Sequence, residues 1–500
     1  MPNGTVIKKV VIAGGGTAGW LAAAALAQQL GELLEITLVE SEEIGTIGVG
    51  ESTVPPLRTF HKLLRIDEQE FMRACSATFK LGIQFDNWGK PGERYVHPFG
   101  RFGKPTWLCE FHHFWLRSLE NGGSSELGEY CYEWQALQAG RFATSPQSEI
   151  NYAYQLDASL YARFLRKFAE ARGVRRVEGK IASVRQTAES GFIEALVLAS
   201  GNAVEGDLFI DCTGFRGVLI EQALHAGFED WNHWLPCDSA VAVPTEAVRP
   251  PVLYTRCVAH DSGWRWAIPL QHRVGNGLVY SSRYLSDDEA KDRLLQAVEG
   301  KPLRQPFVLK FRAGRRLAAW RANCVAIGLS SGFVEPLEST AIHLIVTAVT
   351  RLMQYFPLGG ITPAIVALYN DETRAEIEKI RDFVILHFHA TQRDDSAFWR
   401  YCRTMEIPES LRQRIELFRE AAHAYQAAGE LFRVDSWVSV LLGQGIRPEG
   451  YHPAARTIEA DQLARLLQEA RTSIADSVAR LPTQQEFIDR HCRVGAEPGR

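Results

Sequence analysis

Apolar residues recur along this chain in two rhythms. Near the N-terminus Val10, Val11 and Ile12 form a short unbroken run, as expected of a strand covered on both faces. A glycine-rich turn follows, and then WLAAAALAQQL, whose small side chains suit a helix packed closely on that strand. EITLVE (35–40) reads as a second strand, ASLYARFLRKFAEARGV as an amphipathic helix, and RRVEGKIASVRQ with FIEALVLAS as a pair of strands. DLFIDCTGFRG (207–217) is a strand ending at Asp211 and a Thr-Gly turn, and NCVAIGLSSGFVEPLESTAIHLIVTAVTRL predicts strand, glycine turn and a helix starting near Pro336–Thr340. From about residue 361 helical spacing dominates. ESLRQRIELFREAAHAYQAAG is expected to stay helical up to its glycine.

The second rhythm is strict alternation. In GWRWAIP (263–269) an extended chain puts Trp264, Trp266 and Ile268 on one face, where the two indoles form a wall. In TFKLGIQFDNW, Phe79, Leu81, Ile83 and Phe85 alternate with Lys80, Gly82 and Gln84, so the pattern alone reads Lys80 as an exposed lysine on a half-buried strand. RYVHPFG places His97 and Phe99 on a common face. Residues 86–149 are rich in aromatics and glycine and read as an insertion.

Composition narrows the class of protein. With 500 residues, 46% of them hydrophobic and 23% charged, the chain suits about two globular units. Its 55 basic and 59 acidic residues show no basic block, which argues against nucleic acid or an anionic membrane as partner. The nine cysteines are scattered, without zinc-type spacing, and are expected to be reduced packing residues of a cytoplasmic protein. No apolar stretch reaches the ~18 residues of a membrane span.

The candidate chemistry begins at the first turn. Gly14, Gly16 and Gly19 match the GxGxxG pattern between a strand and a helix, where backbone N–H groups can receive a pyrophosphate. Glu40 closes the second strand at the distance expected of a ribose-binding acid. NAD and FAD share this signature. The other glycine-rich segments, IGTIGVGESTVPPL, 207–217 and 328–340, spread one cofactor site over some 340 residues, which favours a large flavin-binding domain.

Five motifs, GGGTAGW (14–20), GVGEST (48–53), FKLGIQF (79–85), GWRWAIP (263–269) and FVEPLEST (333–340), give the chain a close resemblance to the flavin-dependent halogenases of the tryptophan halogenase family. The resemblance covers nearly the whole chain. It implies an α/β fold: an FAD-binding Rossmann-like box of the flavin monooxygenase type, 1–85 and 150–360, with a mainly helical substrate-binding module, 86–149 and 361–500. It also implies a reaction in two places. Reduced FAD, delivered by a separate flavin reductase, and oxygen oxidise chloride or bromide to hypohalous acid, which travels through a tunnel to an aromatic substrate.

The resemblance assigns roles residue by residue. Lys80 corresponds to the essential lysine, which either hydrogen-bonds hypohalous acid or forms a haloamine. Glu338 corresponds to a carboxylate that stabilises the cationic ring intermediate and accepts its proton, and Ser339 is a positioning residue beside it. The N–H groups of Thr340 and Ala341 correspond to the halide site, with alanine here where the family usually has glycine. Gly14, Gly16, Thr17, Ala18, Gly19, Glu40, Val49, Glu51, Ile181, Leu329 and Ile342 correspond to cofactor contacts. His97 and Phe99 on one side and Phe398 and Trp399 on the other correspond to the walls of an indole pocket, and Trp264 and Trp266 become a partition between substrate and flavin. Where enzymes acting on free tryptophan hold its charged groups with two tyrosines and a glutamate, this chain offers His387, Phe388 and Asp394, which points to an indole or another electron-rich arene. A homodimer and a cytoplasmic setting complete the expectation. The competing reading is an FAD-dependent aromatic hydroxylase, which needs neither Lys80 with Glu338 nor a tryptophan partition.

Overall fold

The computed structural model describes residues 6–43, 50–145 and 150–495. Val49 lies outside them. The chain divides into two compact units, one made of 1–76, 156–232 and 311–378, the other of 77–155, 233–310 and 379–500.

The first unit is built on a six-stranded sheet. Its strands run in the order Trp320–Arg321, Cys324–Ala326, Leu208–Asp211, Lys9–Ala13, Glu35–Glu40, Arg175–Glu178, all parallel except the first pairing. Lys9–Ala13 lies at the centre, with Val10 opposite Leu208 on one side and Ile36 on the other. This explains why its apolar run does not alternate: helices cover both faces of such a sheet. The helix Thr17–Leu30 joins the first two strands and packs on Ala158–Glu170 and Ala341–Gln354. A small antiparallel sheet of Ile181–Gln186, Ile193–Leu198 and Ala203–Glu205 extends the core through Ile193, Leu196 and Val204, which cluster with Val11, Val39 and Phe209.

The second unit holds a seven-stranded sheet, ordered Phe307–Lys310, Ser239–Thr245, Val274–Tyr280, Gly263–Pro269, Tyr254–His260, Gly82–Asp86, Arg94–Pro98. Only the pairing of Tyr254–His260 with Gly82–Asp86 is parallel. Helices Phe111–Glu120, Tyr132–Gln138, Ala397–Thr404, Glu409–Ala421, Val434–Gly443, Ala460–Ala479 and Gln484–His491 belong to the same unit.

These boundaries differ from the expected ones. Residues 77–85, 150–155 and 233–310, assigned by sequence to the flavin box, belong to the second unit, and 361–378 belongs to the first. The reason is strand pairing. Gly82–Asp86 and the four strands between 239 and 280 hydrogen-bond to one another and to Arg94–Pro98, so the second unit is far less purely helical than its sequence pattern suggests. The helix expected to reach Gly429 stops at Ala421. Ala422 turns left-handed at φ 54°, its N–H donates to the Phe418 carbonyl, and its own carbonyl contacts the His112 ring nitrogen at 2.8 Å.

All nine cysteines are free and buried. Among the described residues no helix is long and apolar enough to cross a membrane.

Candidate active site

The dinucleotide turn is assembled from segments two hundred to three hundred residues apart. Gly14 sits at φ +108°, its N–H donates to the Val39 carbonyl at 2.8 Å, and a side chain there would lie 2.3 Å from the Cys212 carbonyl oxygen. A Cβ on Gly19 would meet the Gly14 carbonyl oxygen at 1.9 Å, so both positions require glycine for close approach of backbone to backbone. Gly328, in the turn Gly328–Ser330 that also carries Leu329, would touch Ala18 if given a side chain. Three of the predicted cofactor segments, 14–19, 207–217 and 328–340, therefore meet at the start of the first helix.

The space above that turn suits a diphosphate. Gly16 caps the helix without a side-chain hydrogen bond, no acid occupies the first turn, and nothing lies within 4 Å of a Cβ built on Gly16. Gly14 to Ala18 are partly exposed, while Gly19 and Trp20 are buried. Glu40 ends the adjoining strand, where one carboxylate oxygen accepts from Arg176 Nε at 2.5 Å and the other from Trp20 Nε1 at 3.3 Å. A carboxylate has about four acceptor positions, so these bonds orient Glu40 and leave capacity for ribose hydroxyls. Burial pushes the Glu51 carboxyl up to about 7. Ile181 packs against the apolar core of this unit, and Ile342 is buried in the first turn of Ala341–Gln354.

FVEPLEST folds as a two-residue strand, Gly332–Phe333, then a 3-10 turn, Pro336–Glu338. The helix begins at Ala341, one residue past the expected Pro336–Thr340, because Ser339 adopts φ +61° and breaks the run. A non-glycine residue held left-handed is uncommon and recurs at functional positions. Its effect here is to turn Thr340 and Ala341 so that their N–H groups stand at the helix start, where the first amides lack intrahelical partners. No side chain caps this end and no acid lies in its first turn. Thr340 Oγ1 is buried with no hydrogen-bond partner among the described residues. Electropositive amides at an uncapped helix start with no acid in its first turn are the donor set a halide needs. Glu338, just before the break, is fully buried, as is Glu335.

In the second unit Lys80 contradicts its pattern. It is 0% exposed. The strand Thr78–Lys80 pairs with Ala153–Asp157, placing Lys80 opposite Ala153, and its ammonium nitrogen lies 5.1 Å from the centre of the Phe99 ring. Alternation failed as a guide because both faces of 78–86 are covered. The strand is held at each step. Thr78 Oγ1 donates to the Pro269 carbonyl, Phe79 N–H to Gln484 Oε1, Leu81 N–H to the Leu253 carbonyl, and Phe99 N–H to the Leu81 carbonyl.

GWRWAIP is a strand over Gly263–Pro269, as expected. Trp264 is buried and Trp266 partly exposed, with ring centres 6.0 Å apart. Trp266 lies across Gly277 on the neighbouring strand, where an added Cβ would come within 2.0 Å of the indole. Trp88 extends this aromatic surface, 6.3 Å from Trp264 and 5.6 Å from Trp399, with its Nε1 donating to the Cys257 carbonyl. Sequence reading passed over Trp88 because it follows the turn residue Asn87 (φ 65°) and belongs to no alternating strand.

His97 and Phe99 stand edge-to-face at 6.3 Å, both buried. Phe398 and Trp399 are fully enclosed, and Trp399 Nε1 donates to the His260 carbonyl at 2.6 Å. Phe388 packs among Trp88, Phe398 and Trp399. His387 Nδ1 lies 2.9 Å from the Phe383 carbonyl, and Asp394 is exposed.

Known proteins share both the sequence and the fold. The family model for tryptophan halogenase matches residues 9–460. A flavin-dependent halogenase from Xanthomonas campestris, Xcc4156, is 53% identical in sequence and superposes with a TM-score of 0.97 over 99% of this chain and 100% of that one. BrvH, a flavin-dependent halogenase from Brevundimonas sp. BAL3, is 45% identical with a TM-score of 0.93, over 97% of this chain and 99% of that one. Tryptophan 7-halogenase RebH from Lentzea aerocolonigenes is 36% identical over 96% of this chain and 98% of that protein. The glycine turn, the buried lysine and the uncapped helix start thus occur in a chain that belongs to the tryptophan halogenase family.

Proposed function

We propose that this protein is an FAD-dependent halogenase that places chloride or bromide on an indole or another electron-rich arene. The observation that carries this reading is the place of Lys80: a charged side chain rarely lies wholly inside a protein, and this one is enclosed within the motif FKLGIQF with its ammonium nitrogen against an aromatic ring.

Gly14, Gly16, Gly19 and Glu40 would hold the FAD, with Thr17, Ala18, Glu51, Ile181, Leu329 and Ile342 around it. When bound and reduced by a separate reductase, FAD supplies with oxygen the two-electron oxidation of halide to hypohalous acid. The amides of Thr340 and Ala341 hold the halide, and the Ala341 methyl narrows its approach relative to glycine. Lys80 donates a hydrogen bond from Nζ to the oxygen of hypohalous acid, which makes the halogen more electrophilic. As the arene carbon bonds to halogen, the halogen–oxygen bond breaks and the hydroxyl leaves as water, taking its second proton from Lys80 Nζ. Glu338 stabilises the ring cation and takes the proton from the same carbon, restoring aromaticity. Ser339 fixes the backbone turn between Glu338 and the halide amides. His97 and Phe99, with Phe398 and Trp399, orient the arene, while Trp264 and Trp266 keep it from the flavin.

The test uses indole, reduced FAD, oxygen and either halide. Halogenated indole that disappears in Lys80→Ala, while reduced flavin is still reoxidised, supports the reading. Hydroxylated indole without halide incorporation overturns it.

A further inference from the structure

The ring of Phe99 is positioned from its backbone. Its N–H donates to the Leu81 carbonyl at 2.8 Å, which ties it to the residue following Lys80. Its carbonyl accepts from two side chains, Arg433 NH2 at 2.8 Å and Asn151 Nδ2 at 3.1 Å. Arg433 also reaches the Gly100 carbonyl at 3.5 Å. Downstream, Phe102 N–H donates to Asp435 Oδ1 at 3.0 Å and Gly103 N–H to the Tyr130 carbonyl at 2.8 Å. His97 is held by the same segment, its ring 6.2 Å from that of Phe432, which stacks on Phe383 at 3.7 Å.

Three of the contacting side chains come from one short stretch, 432–435. Phe432, Arg433 and Asp435 lie at the start of the helix Val434–Gly443, with Arg433 as its N-cap residue. One ring sets His97, one guanidinium sets Phe99, and one carboxylate sets the turn behind them. Glu133 completes the arrangement: it is buried, accepts from the Asn151 N–H at 2.8 Å, and occupies the space a side chain on Gly100 would need.

From this geometry we infer that Arg433 and Asn151 are positioning residues that determine substrate specificity by fixing Phe99, with Phe432 and Asp435 as the rest of the clamp. The inference rests on the reading of Phe99 as a wall of the arene site. An arginine is suited to the task because its planar donors hold carbonyls at fixed angles, whereas a purely packing role needs only its stem.

The experiment measures bromination of indole by Arg433→Met, Arg433→Lys and Phe99→Leu, in protein that retains flavin. Losing a charged donor to a buried carbonyl is expected to raise KM for indole about 10-fold or more in Arg433→Met and to change the ratio of bromoindole isomers, with kcat falling less than about 3-fold. Arg433→Lys restores most of both. Unchanged KM and isomer ratio in Arg433→Met overturn the inference, as does a lysine variant no better than methionine. Phe99→Leu separates the two levels: an unchanged KM there removes the wall reading and the clamp with it, whereas a raised KM beside a silent Arg433→Met removes only the clamp. If Arg433→Met does not retain flavin, Asn151→Ala deletes the second donor to the same carbonyl and is read by the same criteria.

Discussion

The Lys80 ammonium nitrogen lies 5.1 Å from the centroid of the Phe99 ring, inside the protein. The ring face attracts the cation, a contact of about 0.5–2 kcal/mol. Lys80→Met keeps the volume and removes the charge. Halogenation of indole should fall by at least about 100-fold, the lower range for loss of a positioned proton donor, while the melting temperature changes little. A melting temperature well below wild type would show that the lysine is structural.

The proposed tryptophan partition can be disturbed from behind. Gly277→Ala would bring a methyl carbon within 2.0 Å of the Trp266 ring, so the indole must move. The expected cost in stability is about 1–3 kcal/mol, as for other overpacked sites. If Trp266 separates substrate from flavin, Gly277→Ala and Trp266→Ala both increase flavin oxidation uncoupled from product, or yield hydroxylated indole. Unchanged coupling and product in both variants would return GWRWAIP to core packing.

Glu51 titrates in the working range. Burial raises its carboxyl to about 7, so the folded state holds this proton more tightly than the unfolded state does. The group's contribution is fully present below the ordinary carboxylate range and is lost as pH rises through about 7. Glu51→Gln mimics the neutral form. Melting curves from pH 4 to 8.5 should show the two proteins alike at the acid end and the glutamine variant more stable at the alkaline end. A constant difference across that range would refute the shift.

Under the proposed function, substrate choice is expected to follow from the groups at 387–394. Phe388 has no donor and is enclosed by three aromatic rings, and Asp394 faces solvent. If these positions face the substrate, Phe388 offers no hydrogen-bond partner to a charged amino-acid group, which is left poorly solvated. The expected kcat/KM for indole exceeds that for free tryptophan by about 10-fold or more. Equal or better turnover of tryptophan would refute this account of the three residues.

Local chemistry made much of this protein legible in its sequence. Gly14 and Gly19 must be glycine wherever the chain folds, because backbone atoms occupy the space their side chains would fill, and the apolar run 10–12 belongs at the centre of a parallel sheet. GWRWAIP alternates as a strand because period-two spacing is a property of extended backbone. The motif FVEPLEST announced a helix start, since a turn and an uncapped amide end are both written within eight residues.

Other features depended on which distant segments meet. The burial of Lys80 was not readable from a strand whose covering residues, Phe99 and Ala153, come from elsewhere in the chain. The division into units followed strand pairing between 82–98 and 239–280, which no local pattern encodes. The same holds for Arg433 and Asn151. Each looks like an ordinary polar surface residue in sequence, and only long-range packing brings both to the carbonyl of Phe99, because hydrogen bonds to backbone depend on position in space and leave no periodic trace in the chain.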